Sequence, residues 1–392
     1  MADRSLIFPA QEYRDRVARL QAGMALKGLD ALLLTSPADL FYTTGFLTRF
    51  WESPARPWFV IVPQVGGPIA VIPSIGAELM GRTWVTDIRT WQAPDPADDG
   101  ISLLADALSE TLATQGLIGV PMGLETHLRM PLADFETLRL RLSPRRFVDA
   151  TDIVQRVREV KSEAEIDRIR SSCTIAARAF ARVPSLAAAG RSLADIFRDF
   201  QIALLEEGAD WVSYVAGGAG QDGYGDVISP AGAQPLQRGD VLMLDTGAVK
   251  DGYFCDFDRN FAIGIASDAA RSAYDALWQT TEDTLSALRP GLRPGLRACD
   301  VHALLCQGLD ARGAPASGGR LGHGLGVTLT EWPSFTPLDK TPLRAGMVLT
   351  LEPGCVLGNG RIMVHEENIV LREDGAELLS PRAPAELPEV LS

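Results

Sequence analysis

Apolar and polar positions alternate between helical and strand rhythms over the first 150 residues. In residues 11–28, Val17, Leu20, Met24 and Leu26 gather on one side of a helical period, and Gly28 closes the segment. Residues 31–34 are a continuous apolar run of strand length, followed by similar runs at 58–62 and 69–72. The pattern then predicts an amphipathic helix over 101–115, a strand over 116–120 and a helix over 132–142. Such alternation predicts an α/β domain with a mixed sheet. Nothing in it has the spacing of metal ligands.

Further along, the rhythm changes. Ser162 and Glu165 have the spacing of a capping box, which predicts a long helix from there to about residue 183 and a second over 193–207. Strand patterns occupy 241–248 and 253–263, on either side of the turn signal Lys250-Asp251-Gly252. Helices over 267–288 and 299–312 precede strands over 348–352 and 361–372. Two helical pairs, each followed by hairpin-like strands, predict a duplicated α+β layout. The expected division is an N-terminal domain over 1–155 and a C-terminal domain over 156–392.

Composition changes this picture little. A chain of 392 residues is long enough for two domains, and 46% hydrophobic with 22% charged residues is ordinary for a globular protein. The formal net charge of −13 repels phosphate backbones and anionic membranes, so neither nucleic acid nor membrane is an expected partner. The five cysteines show no CxxC spacing, which argues against a disulfide framework or structural zinc. No stretch reaches the roughly 20 apolar residues of a membrane span. The start, Met-Ala-Asp-Arg-Ser-Leu-Ile-Phe, is too short and charged for a secretory segment, so a cytoplasmic location is expected.

The candidate chemistry lies in the C-terminal half. Asp245 in Leu-Asp-Thr-Gly, Asp256 in Cys-Asp-Phe-Asp-Arg, His323 in Gly-His-Gly-Leu-Gly, Glu352 in Leu-Glu-Pro-Gly and Glu366 in Val-His-Glu-Glu-Asn form a hard, oxygen-rich donor set. Such donors suit two divalent ions, which can activate a water and polarise a carbonyl, so a hydrolase is the first expectation. A hairpin centred between Lys250 and Asp251 sets Asp245 opposite Asp256, whereas one centred on Asp251-Gly252 sets it opposite Asp258. Periodicity leaves both open. Asp245 follows the apolar run Val-Leu-Met-Leu, where an unpaired carboxylate is rare. Glu366 shares a strand face with Ile362, Val364 and Val370, and Glu367 shares the other with Met363, His365 and Ile369. Alternation does not choose between these two acids either.

Taken in order, these motifs resemble the pita-bread metallopeptidases, the family of methionine and Xaa-Pro aminopeptidases, prolidase and creatinase. The resemblance places that family's ordered metal ligands on Asp245, Asp256, His323, Glu352 and Glu366, favouring Asp256 over Asp258 and Glu366 over Glu367. Residues 31–46 resemble the creatinase-type N-terminal domain, and Val157-Arg-Glu-Val-Lys-Ser-Glu-Ala-Glu resembles its junction. The fold implied is an α/β creatinase-like domain followed by an α+β pita-bread catalytic domain. Also implied are two divalent ions (Mn, Zn, Co or Fe), a homodimer, and a small-molecule or short-peptide substrate. The chemistry implied is cleavage of a C–N bond through a metal-bridging hydroxide, with Glu352 handling the proton.

Around the ligands the chain departs from that family. The substrate-facing His seven residues after the metal His is Thr330 here, followed by Glu331, and the His four residues before it is Gly319. A further family His upstream of the first metal Asp falls in the stretch Asp226-Val-Ile-Ser-Pro, which has none. Thr330, Glu331 and Asp226 are therefore candidate substrate contacts. Arg49 and Trp51 join them, because family dimers carry the segment containing them into the partner's site. The simpler readings are a solvated loop acid for Glu331 and local packing for Arg49 and Trp51. Two rivals to a hydrolase follow from the same family: a lyase acting on a small carboxylate by β-elimination, and a non-catalytic binding module. The complete ligand set speaks against the module.

Overall fold

The computed structural model describes residues 6–51, 56–288 and 295–391, and the chain divides into the units Met1–Arg158 and Glu159–Ser392. Residues 1–5, part of the start judged above against a secretory segment, lie outside the described residues. The first unit is built on a six-stranded mixed sheet ordered β4-β3-β2-β1-β5-β6. Its strands are β1 (Ala31–Leu34), β2 (Phe59–Pro63), β3 (Ile69–Pro73), β4 (Asp87–Trp91), β5 (Leu117–Val120) and β6 (Arg146–Asp149). Every residue of β1, β2 and β3 is buried, which explains why they read as unbroken apolar runs. The edge strands β4 and β6 are half-exposed and carry no such run, so the pattern missed them. The helix Ala10–Lys27 buries Tyr13, Arg16, Val17, Leu20 and Met24 and ends at Gly28, left-handed with φ 66°. Leu26, expected on that face, is 90% exposed, since two positions beyond Met24 is about 200° around the helix.

In the second unit Ser162 and Glu165 exchange the reciprocal bonds of a capping box at the head of the helix Glu163–Phe180. That helix ends before residue 183, and a separate short helix, Val183–Leu186, follows with a proline in its first turn. After the helix Leu193–Glu206 comes a sheet ordered β18-β10-β8-β7, with β9 pairing β8. These strands are β7 (Trp211–Gln221), β8 (Asp240–Lys250), β9 (Tyr253–Phe254), β10 (Phe257–Ile263) and, from the chain's end, β18 (Glu389–Val390). The sequence pattern missed β7, whose run Ala-Gly-Gly-Ala-Gly lacks the branched and aromatic side chains that mark strands. The helices Asp268–Leu288 and Ala298–Ala311 precede a second sheet, β12-β11-β13-β16-β17. It contains β11 (His323–Gly324), β12 (Glu331–Ser334), β13 (Val348–Leu351), β16 (Glu367–Arg372) and β17 (Gly375–Leu378), and a separate ribbon pairs β14 (Gly354–Val356) with β15 (Ile362–Val364).

Two expected strands are in fact broken. The stretch 253–263 divides between β9 and β10, and 361–372 divides between β15 and β16. Asp256 lies in the first gap and Glu366 in the second, while Glu352 stands between β13 and β14. A break in a sheet leaves backbone N–H and C=O groups that need other partners, so each gap raises the question of what satisfies it. Among the described residues no helix is long and apolar enough to cross a membrane.

Candidate metal centre

The β8–β9 turn settles the hairpin register. Asp251 and Gly252 both have positive φ, 51° and 80°, as a two-residue primed turn requires. Lys250 pairs with Tyr253 and Asp245 with Asp258, so the reading centred between Lys250 and Asp251 is not the one adopted. Asp256 is two positions from Asp258 on the same face, displaced toward the turn. The Asp258 carboxylate already accepts from Glu366 N at 2.7 Å and from Asn260 Nδ2 at 3.2 Å. Asp256 instead turns its carboxylate into a cluster of acids, held at its backbone by Asn368, whose Oδ1 accepts from Asp256 N at 3.0 Å. The Asn368 amide also donates to Asp256 O, so one side chain replaces the missing strand partner.

Two triplets of donors form around Asp256. Ligand atoms of Asp256, His323 and Glu352 lie within 4.8 Å of one another, and so do those of Asp245, Asp256 and Glu366. His323 Nε2 is 3.2 Å from Asp256 Oδ2 and 3.0 Å from Glu352 Oε1. Its Nδ1 lies 2.8 Å from the Gly324 carbonyl, which only accepts, so a neutral ring carries its proton there and turns a bare Nε2 to the acids. Glu352 Oε1 also accepts from the Thr350 hydroxyl at 2.5 Å. Asp256 and His323 are buried, while Asp245, Glu352 and Glu366 keep some exposure.

Electrostatics mark the cluster as short of positive charge. Burial pushes the carboxyls of Asp245 and Glu366 well above the usual range, and the neighbouring acids push them further. Burial also raises Asp256, against the pull of His323, and raises Asp258 well up despite Arg259. For His323 burial works against charge, but Glu352 and Asp256 outweigh it and lift the imidazole to about 10. Glu352 is held low: burial opposes this, while His323, Thr350 and Arg320 favour its charged form. Among the described residues no lysine or arginine forms an ion pair with Asp245, Asp256, Glu352 or Glu366. Among the described residues the buried Glu366 Oε2 has no hydrogen-bond partner. Oxygen donors, an imidazole Nε2 turned toward them and an orphaned carboxylate oxygen fit divalent cations.

Glu367 provides the contrast. It is fully buried, and its oxygens accept from Arg259 Nη2 at 3.0 Å, Arg382 Nη1 at 2.9 Å, Ala383 N at 2.9 Å and the Ser380 hydroxyl. One residue that sequence reasoning missed also enters the centre. The Tyr214 hydroxyl lies 3.1 Å from Asp245 Oδ1 and also contacts Asp256 Oδ1. A register shift in β7 between Val212 and Val215 aims Tyr214 inward, and Gly247 makes room, since a Cβ there would lie 2.5 Å from the ring. The bare Gly247 two residues after Asp245 was the available signal.

Of the other expected contacts in this unit, Glu331 and Asp226 belong to neither donor triplet. Glu331 is buried: its Oε2 meets Lys161 Nζ at 2.9 Å and its Oε1 accepts from Val327 N at 2.9 Å and Thr328 N at 3.2 Å. Its place is thus not that of a solvated loop acid, because burial is compensated by an ion pair. Thr330 is partly exposed, and among the described residues its hydroxyl has no hydrogen-bond partner. Asp226 is exposed and accepts from Ile228 N and Ser229 N, turning its own loop. In the first unit Arg49 is exposed, and Trp51 packs edge-on against Phe46 and Trp58 with Arg129 5.1 Å from its ring centre.

Comparison with known proteins defines the class. The model of metallopeptidase family M24 matches residues 167–373, and that of the creatinase/prolidase N-terminal domain matches 16–160. The chain belongs to metallopeptidase family M24: it is a metal-dependent hydrolase with a creatinase-type N-terminal domain and a pita-bread catalytic domain. It is 30% identical over 379 residues, 94% of each chain, to "Probable dipeptidase PepE" of Mycobacterium tuberculosis. Against "Xaa-Pro dipeptidase" of Pyrococcus horikoshii the identity is 26%, over 93% of this chain and 97% of the relative. Among solved structures, dipeptidase PepE from Mycobacterium ulcerans is 29% identical with a TM-score of 0.83, covering 98% of this chain and 99% of that one.

Proposed function

We propose that the chain is a two-metal dipeptidase that hydrolyses the C–N bond of short peptides, Xaa-Pro dipeptides among them. The observation that carries this is Asp256, whose carboxylate belongs to both donor triplets and so suits a ligand shared by two ions. Relatives named as dipeptidases, matching nearly the whole chain, support the substrate class. Held by Asp245, Asp256, His323, Glu352 and Glu366, a pair of Mn, Zn, Co or Fe ions supplies an activated water and a Lewis acid for the scissile carbonyl. Glu352, kept ionised beside His323 and the Thr350 hydroxyl, is placed to accept the proton of the attacking water and return it to the leaving nitrogen. Thr330 and Asp226 take the places where the family's imidazoles would meet substrate. Glu331, locked to Lys161, shapes the loop over 326–330 and does not touch substrate. Arg49 is a contact for an anionic substrate group in a homodimer. Five unpaired cysteines fit a reducing cytoplasm.

The test is an assay of metal-stripped protein reloaded with Mn²⁺, against Xaa-Pro dipeptides, dipeptides without proline, and creatine- or ectoine-like amides. Cleavage of dipeptides with incorporation of one solvent oxygen supports the reading. Inert dipeptides beside a reactive amide, or an unsaturated product with no solvent oxygen, overturn it. Activity that survives chelation removes the metals from the mechanism.

A further inference from the structure

Strands β13 and β16 are apolar at most positions, yet a polar pair faces across them. Thr350 is the register partner of Asn368, and both are fully buried among Val348, Leu349, Leu351, Ile369 and Val370. Polar groups in such a place are costly unless their bonds are made, so where the bonds go is informative. The Thr350 hydroxyl accepts from His323 N at 2.9 Å and stands 2.5 Å from Glu352 Oε1, to which it donates. The Asn368 amide takes Asp256 N at 3.0 Å and gives to Asp256 O, bridging the break between β9 and β10. The Asn368 backbone is itself fixed, with its N–H on the Ser380 hydroxyl at 3.0 Å.

His323, Glu352 and Asp256 are the members of one triplet. The ligands particular to the other are supported elsewhere: Asp245 by Tyr214, and the Glu366 backbone by Asp258. The two metal positions therefore have separate scaffolds that meet only at Asp256. We propose that Thr350 is the positioning residue of the histidine-side metal position and sets its affinity independently of the other, while its register partner Asn368 holds the shared Asp256. The proposal rests on the two-ion reading above. Without the Thr350 hydroxyl, Glu352 loses the bond that fixes its rotamer and His323 N loses its acceptor. Without Asn368, the Asp256 peptide loses both its partners, and the carboxylate is no longer aimed between the two positions.

The test uses full-length protein stripped by chelator and titrated with Co²⁺, for wild type and for Thr350→Val, Thr350→Ser and Asn368→Leu. Calorimetry counts the ions and gives both affinities, and proton NMR follows the exchangeable His323 Nδ1–H, which a cobalt ion on Nε2 displaces far from the ordinary spectrum. Wild type binds two ions. Thr350→Val keeps one ion within about twofold and binds the other about 10–100-fold more weakly, the usual effect of losing a ligand's supporting hydrogen bond, whereas Asn368→Leu, which releases the shared Asp256, weakens both. In Thr350→Val the displaced imidazole resonance arises only with the weaker ion. Thr350→Ser, which keeps the hydroxyl, behaves as wild type. Should Asn368→Leu not fold, the Val and Ser variants decide the matter. In Thr350→Val, equal weakening of both ions, no weakening or an imidazole signal that follows the tighter ion overturns the assignment, as does a Ser variant as impaired as Val or an Asn368→Leu variant that spares one ion. A wild-type protein that saturates with one ion overturns the two-ion reading itself, and the inference falls with it.

Discussion

Glu366 and Glu367 are adjacent, yet one faces the acid cluster and the other a layer of arginines. Glu367 meets Arg259 and Arg382, and in the same way the buried Glu331 meets Lys161. Glu366 has a buried oxygen with no partner among the described residues, and burial together with four other acids raises its pKa. The protein thus supplies lysine or arginine partners to one set of interior carboxylates, and only the His323 imidazole contacts the other. A buried acid is normally paired, so a group of them left unpaired by the chain marks where external cations go. The adjacent pair can be tested by exchanging each carboxylate for its amide, which preserves shape and removes charge.

The largest effect is expected for Glu366→Gln. Loss of this ligand should remove an ion, seen by metal analysis, and lower kcat/KM at least about 1000-fold, or about 4 kcal/mol. In the chelated state the same substitution should leave melting unchanged or raise it, because a repelled buried charge has gone. Wild type should melt lower once its metals are removed, since ions at about 100 times their Kd contribute about 2.7 kcal/mol. A variant that keeps full metal content and activity would return Glu366 to the ordinary acids.

Glu367→Gln should show the reverse profile. Arg259 and Arg382 would lose the carboxylate between them, and breaking a buried pair of this kind costs about 3–5 kcal/mol of unfolding free energy. The loss, measured in denaturant, should be the same with and without chelator, and the folded variant should bind as many ions as wild type. Lys161→Met should cost about 3 kcal/mol by the same mechanism, leaving the nearly buried Glu331 carboxylate without that ammonium. Adding Glu331→Gln should recover more than half of it, because the amide oxygen still accepts from Val327 and Thr328. A double variant no more stable than the single would show that the charge is not what matters there.

What could be read from the chain follows the range of the interactions. The cap at Ser162 and the apolar run Ala31–Leu34 are set by neighbours a few residues apart and lie where the pattern placed them, and the turn at Lys250-Asp251-Gly252 takes one of the two centres the pattern left open. Alternation could not separate Asp256 from Asp258 or Glu366 from Glu367, because what distinguishes them is distant: Asn368 reaches Asp256 across 112 residues and Arg259 reaches Glu367 across 108. The strand breaks that expose Asp256 and Glu366 were equally invisible, since a one- or two-residue gap hardly disturbs an apolar period. Tyr214 was hidden for another reason: its strand is rich in glycine, and its inward aim comes from a register shift and the bare Gly247 opposite.

The smallest effect is expected at Glu165, a buried acid of a third kind. Its carboxylate accepts from Ser162 N at 3.0 Å and from the Tyr253 hydroxyl at 3.0 Å, so these bonds come from neutral donors. In Glu165→Gln the amide oxygen can keep the Ser162 N–H, while its NH₂ group can donate to Tyr253, whose hydroxyl turns from donor to acceptor. These two hydrogen bonds are then preserved, and the change removes the acid's interaction with the positive end of the helix, worth about 0.3–1 kcal/mol. Thermal unfolding should fall by no more than a few degrees, with metal content and kcat/KM unchanged. A loss as large as that of Glu367→Gln would mean that charge itself, irrespective of its partner, holds these interior acids in place, and the distinction between Glu366 and Glu367 would lose its basis.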